Sequence, residues 1–184
     1  MYKANINKKY KLLKKDTIQV EGQTLYRIQA LRDIPGVVHK GELGGYIASE
    51  SNLSHKWDCW VGDDAKVYDN AQVGDKAWIG GNARVFGGAW VSGYAQVYDN
   101  AWVSDNARIL DNAQVYDNTR VYNNAWLDDN VLVCDNVHVG DNVKVGGKIH
   151  IGGNIILTGQ FKLYSKEMHV IKTNNLVYIG GIEL

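Results

Sequence analysis

A six-residue unit repeats almost without a break from Cys59 to Leu163. It reads Ala-x-Val-Tyr/Gly-Asp-Asn, as in Ala65 to Asn70 and again in Ala95 to Asn100. One column is Val, Ile or Leu in every copy, from Val61, Val67, Val73 and Ile79 onward to Ile151, Leu157 and Leu163. Two residues earlier a second column is mostly alanine from Ala65 to Ala125, then larger from Val131 through Ile149 to Phe161. A short fixed period signals a solenoid, whose units bury a core only by stacking on one another.

Within each unit the alternation of Ala65 and Val67 with Lys66 and Tyr68 is a period-two strand signal. The Asp-Asn, Gly-Asn and Gly-Gly pairs that follow are turn dipeptides, tolerant of the left-handed backbone region. A meander of hairpins has the same rhythm but fails on register. A two-residue hairpin loop sets Tyr68 opposite Ala71, and opposed residues share one face of a sheet. The pattern needs Ala71 inside and Tyr68 outside. A parallel coil removes the conflict, because each residue stacks on its equivalent one coil away.

Composition narrows the setting. Twenty basic and twenty acidic residues among 184 leave no net charge, so nucleic acid is not expected as a partner. Two cysteines, Cys59 and Cys134, occupy different columns of the repeat, so no disulfide framework is expected and a reducing compartment fits. The lysine-rich start has no apolar stretch behind it, and no window reaches the roughly 18 apolar residues of a membrane helix. A cytoplasmic protein without membrane contact is the expectation.

The repeat resembles the hexapeptide-repeat left-handed parallel β-helices, whose loose signature is an aliphatic residue followed four positions later by a small one. That resemblance implies an all-β fold: a triangular prism with three hexapeptides per coil, wound left-handed and assembled as a homotrimer. Roughly 17 hexads then give about six coils, near 28 Å long at about 4.8 Å between stacked strands. Thr17 to Val20, Glu21-Gly22 and Thr24 to Leu31 read as a β-hairpin that caps the first coil. The expected organisation is a capping segment over 1–52, a β-helix over 53–163 and a C-terminal β tail over 164–184. The Leu43-Gly44-Gly45-Tyr46 run, Asn52-Leu53-Ser54 and Cys59-Trp60-Val61 look like the YdcK-like hexapeptide proteins of bacteria and their phages. These are often labelled transferases by fold alone.

With three hexads per coil, the outward positions sort into three faces. The first carries Trp60, Trp78, Tyr98, Tyr116, Leu132, Cys134 and His150, with no formal charge. Charge depletion with aromatic enrichment marks an interface core, so Trp60, Trp78, Tyr98, Tyr116 and Leu132 are the expected trimer seam. The other faces interleave Arg with Trp one coil apart, as Arg84-Trp102-Arg120 and Trp90-Arg108-Trp126. Such ladders stabilise a solvent-facing sheet, and they also offer flat rings and cationic donors to a planar anion. Corner aspartates stack as well, which turn chemistry accounts for.

Acyltransferases of this fold use a histidine base near a subunit boundary, often beside a projecting loop. The hexads here are uninterrupted, and His150 is the one histidine placed on the seam, a weak catalytic candidate. Carbonic anhydrases of the fold hold zinc through three histidines, a pattern that His138 and His150, on different faces, do not make. The sequence names no metal site and no cofactor. The expected function is a non-catalytic trimeric binding protein of phage or prophage origin. It would sequester a nucleotide-like ligand or inhibit a host protein. An acyl-CoA-dependent acyltransferase is the alternative.

Overall fold

In a computed structural model, which describes residues 8–173 and 176–180, the chain is a parallel β-solenoid. Residues 1–7, 174–175 and 181–184, which belong to the expected N-terminal cap and C-terminal tail, lie outside the described residues. Successive rungs are two residues long, and each pairs in parallel with the rung 18 residues away: Gln96 with Gln114, Trp102 with Arg120, Arg108 with Trp126.

The rungs form three faces in the expected order. The first runs Trp60, Trp78, Gln96, Gln114, Leu132, His150 and His169. The second runs Tyr46, Lys66, Arg84, Trp102, Arg120, His138 and Ile156. The third begins with the bridge between Leu53 and Val73 and continues through Trp90, Arg108, Trp126, Lys144 and Lys162.

Each face therefore has seven rungs, about one turn more than the hexads suggest. The extra rungs are hidden at the ends. Tyr46 pairs with Lys66 and Leu53 bridges Val73, so the first coil is two residues longer and loses the six-residue rhythm. At the other end a bulge between Gly147 and Ile149 sets His169, one residue late, against His150.

Both inward columns are sealed. From Ala65 and Val67 through Val143 and Val145 they are essentially inaccessible to water. One column member departs from the pattern: Thr119 is fully buried in the alanine column, and its hydroxyl has no partner among the described residues.

Every corner begins with a residue in the left-handed region. Asp63, Asp69, Asp75, Asp99 and Asp105 have φ between 50° and 57°, and Gly81, Gly87 and Gly93 take the same role at 59–74°. Asp and Asn tolerate this region because their short polar side chains bond locally. Here the bond is one coil away. Asp63 accepts the backbone N–H of Gly81 at 2.7 Å, and Asp129 that of Gly147 at 2.8 Å. The stacked aspartates are thus corner fasteners.

The N-terminal segment forms strand β1 (Tyr10–Val20), strand β2 (Gln23–Ala30) and strand β3 (Leu43–Ile47). The first two make the expected hairpin, turning at Glu21 and Gly22, both with positive φ. β2 pairs antiparallel with β3, which passes into the parallel second face, so the cap continues that sheet. β1 starts earlier than Thr17 because Tyr10 is fully buried against the prism core and donates to the Leu53 carbonyl at 2.7 Å. Lys9 is buried beside it, its ammonium donating to the carbonyls of Trp57 and Cys59 at 2.9 and 2.6 Å. Burial pulls its pKa down, against the nearby Cys59 thiol. The cap closes the end of the core.

Candidate functional site

Along the third face the strand register places Trp90, Arg108, Trp126 and Lys144 in one line, each a rung from the next. The Arg108 guanidinium lies 5.9 Å from the centre of the Trp90 ring and 5.3 Å from that of Trp126. Lys144 follows, with its ammonium 4.7 Å from the centre of the Trp126 ring. Each such contact is worth about 0.5–1 kcal/mol at an exposed site, so the ladder orders its own side chains.

A second line runs beside the first. Asn106, Asn124 and Asn142 follow the corner residues of three successive coils, each amide donating to the next at 3.3 and 3.2 Å. Between the two lines lies an open-sided groove of about 640 Å³, bordered by Asn70 and Gln72 at its lower end and Asn142 and Lys144 at its upper. That volume falls in the usual range of about 300–1,000 Å³ for small-molecule sites. On the other side of the asparagine line is a shallower depression of about 520 Å³, reaching Asp141 and Gln160.

The electrostatics of the first groove are one-sided. Its lining holds two cations and amides but no carboxylate and no histidine. Neither Arg108 nor Lys144 forms an ion pair among the described residues. The indole N–H of Trp126 is buried without a partner among them. Trp90, 44% exposed, presents a bare ring. The arrangement can stack a planar group, bind an anion at Arg108 and Lys144, and offer amides on both sides.

The second ladder is built as the repeat suggests. Trp102 sits between Arg84 and Arg120, with guanidinium-to-ring-centre distances of 4.9 and 5.1 Å, and Phe86 meets it edge-on. The two ladders occupy different sheets and do not converge. Lys144 and the asparagine line were not singled out by sequence reasoning. The asparagines read as turn chemistry, and only their recurrence every third hexad at one corner marks them as a wall.

The first face has two regimes. Trp60 is 2% exposed, lying under the cap against Tyr10 and closely over Gly44. Trp78 is half-buried and folds flat over Gly80, where a Cβ would collide with its ring. Tyr98 and Tyr116 stack in parallel at 5.0 Å, and Leu132 is half-buried. His150 is not isolated: its Nε2 lies 3.3 Å from the sulfur of Cys134. Cys59 and Cys134 are both free and buried.

Comparison with known proteins agrees with the register. Residues 77–93, 95–111 and 113–127 match the YdcK beta solenoid repeat family. The matched segments begin at Ala77, Ala95 and Ala113, the same inward position in three successive coils. No curated protein matches the chain.

Proposed function

The chain is a YdcK-like β-solenoid repeat protein, and from the chemistry of its third face we propose that it is a non-catalytic binding protein for a nucleotide-like ligand. The observation that carries this reading is the line Trp90, Arg108, Trp126 and Lys144 along an acid-free groove. A nucleoside phosphate combines a flat base with a compact anion. The base stacks on Trp90 or Trp126 and the phosphate takes Arg108 and Lys144. The asparagine line supplies donors and acceptors for ribose and base edges.

In the same proposal the protein is a homotrimer joined through the first face, by Trp78, Tyr98, Tyr116 and Leu132. A phage or prophage origin rests on the family resemblance. A reducing, cytoplasmic location rests on the two free buried thiols. Among the described residues no helix is long and apolar enough to cross a membrane. Sequestration of the ligand is the activity this surface supports, with inhibition of a host protein as the partner form of the same binding role.

Tryptophan fluorescence tests the reading directly. Titration with mono-, di- and cyclic nucleotides should quench emission saturably for at least one of them. Silence across the panel would remove the nucleotide assignment. Quenching by acetyl-CoA alone would replace it with the acyltransferase reading.

A further inference from the structure

At the far end of the first face three metal-ligating side chains, Asp117, Cys134 and Asp135, cluster, and His150 meets the cluster at Cys134. Cys134 and Asp135 follow the rung Leu132–Val133, and His150 sits on the next coil opposite Leu132. Asp117 lies one coil before Asp135 and accepts its backbone N–H at 3.1 Å. The sulfur of Cys134 is 3.3 Å from His150 Nε2, and ligand atoms of Asp117, Cys134 and Asp135 all lie within 4.8 Å of one another.

Gly152 leaves room among them. A methyl group there would stand 2.9 Å from Asp135 Oδ2, 3.4 Å from the Cys134 sulfur and 3.6 Å from His150 Nε2. Three different donor elements therefore surround one small space that a single absent side chain opens. The backbone of Gly152 does not have the positive φ that would by itself require glycine.

We propose that Cys134, His150, Asp135 and Asp117 form a binding site for a thiophilic divalent cation of the zinc class. One thiolate, one imidazole and carboxylate oxygens are the borderline-soft donor set that suits Zn²⁺ rather than Mg²⁺ or Ca²⁺. Around a tetrahedral zinc, with bonds of about 2.0–2.3 Å, donor atoms stand about 3.5 Å apart. The Cys134–His150 separation is already close to that, and a bound metal would draw the carboxylates of Asp117 and Asp135 in toward the sulfur and the imidazole. Neither Asp117 nor Asp135 is ion-paired among the described residues, so a cation would also relieve two adjacent negative charges. Asp135 Oδ2, the oxygen that faces the space at Gly152, also accepts the Gly153 N–H, which fixes the carboxylate in place.

The sixteen-residue step from Cys134 to His150 explains why no ligand spacing is visible in the sequence. It is a diagonal between adjacent coils, two residues short of the repeat.

Titration of chelator-treated protein with Co²⁺, followed by displacement with Zn²⁺, tests the site. The expected result is one cobalt per chain with a sulfur-to-cobalt charge-transfer band that zinc abolishes. Cys134→Ser should lose the band, and Cys59→Ser should keep it. His150→Gln should weaken binding about tenfold or more. Gly152→Ala retains every donor but fills the space, and should also lose binding while its circular dichroism stays that of the wild type. Absence of the band in the wild type, or its survival in Cys134→Ser or Gly152→Ala, overturns the site.

Discussion

The Asp105 carboxylate accepts the backbone N–H of Asn123 at 2.9 Å, one full coil further along the prism. Both residues hold the left-handed conformation, each at φ 57°. The side chain that tolerates the strained corner is thus also the one that fastens it to its neighbour.

Two losses can be separated at this position. Asp105→Gly keeps the backbone conformation and loses the carboxylate bond, at a cost of about 1.5–3 kcal/mol for a charged partner. Asp105→Ala loses the bond and adds about 1–2 kcal/mol for a left-handed residue with a Cβ. Denaturant unfolding should rank wild type above glycine and glycine above alanine. Equal stability of the two variants would show that conformation contributes nothing.

Thr119 offers the opposite case, a replacement that should stabilise. Its hydroxyl is buried without a partner among the described residues, in a column otherwise apolar. Thr119→Val keeps the branched shape and removes the unsatisfied group, worth about 1–3 kcal/mol. The variant should melt at a higher temperature than the wild type. An unchanged or lower melting point would mean that the hydroxyl is satisfied in solution.

The hexads made the prism legible because every coil repeats the same burial, from Ala65 and Val67 onward. They did not show the first coil, where Tyr46 and Leu53 pair across a longer loop, nor the bulge that brings His169 onto the first face. The Trp90–Arg108–Trp126 line was legible because stacking follows directly from an 18-residue step. Trp60 shows the limit. Its column points outward, but the cap above it is not part of the repeat, and only the folded chain covers it. Diagonal contacts such as Cys134 with His150 fall between columns and leave no periodic trace.

Tyr68 links the prism to the cap, and its ionisation reports that contact. It is buried beneath the hairpin, stacks in parallel on Phe86 at 5.0 Å, and points its hydroxyl at Glu21. Burial, with the Glu21 carboxylate adding to it, pushes its pKa up to about 12. A raised pKa means the folded state keeps a proton that the unfolded chain releases above about pH 10. Its contribution to stability is therefore complete below pH 10 and is lost as pH rises toward 12. Tyr68→Phe should show a shallower alkaline loss of stability than the wild type over that window. Identical pH profiles would mean that Tyr68 ionises freely in the folded protein.

The proposed seam predicts different outcomes for two neighbouring tryptophans. Trp78 keeps part of its ring at the surface, whereas Trp60 is already covered by its own chain. Trp78→Arg should dissociate the assembly without unfolding it, since an aromatic anchor at an interface centre accounts for about 2 kcal/mol or more. Gln72→Arg, the same charge on the exposed third face, should leave the assembly intact. Trp60→Ala should lower the melting temperature instead. Sedimentation of the wild type as a monomer would refute the seam.

In the groove, stacking and charge should fail separately when a nucleotide is the ligand. Arg108 stands between two rings, so Arg108→Gln removes the cation that both orders them and meets the phosphate. Affinity should drop, and what remains should depend less on ionic strength, because one screened attraction is gone. Trp126→Ala should cost about 1–3 kcal/mol in binding if a base stacks there, with salt dependence preserved. Lys144→Gln, at the upper end of the line, should resemble Arg108→Gln but preserve the Trp90 contact. The Arg120→Gln variant on the second face serves as the control, since its guanidinium packs on Trp102 in a different sheet. Isothermal titration of the four variants at two salt concentrations separates the effects. Equal weakening by Arg120→Gln and Arg108→Gln would show that affinity follows total charge rather than the groove.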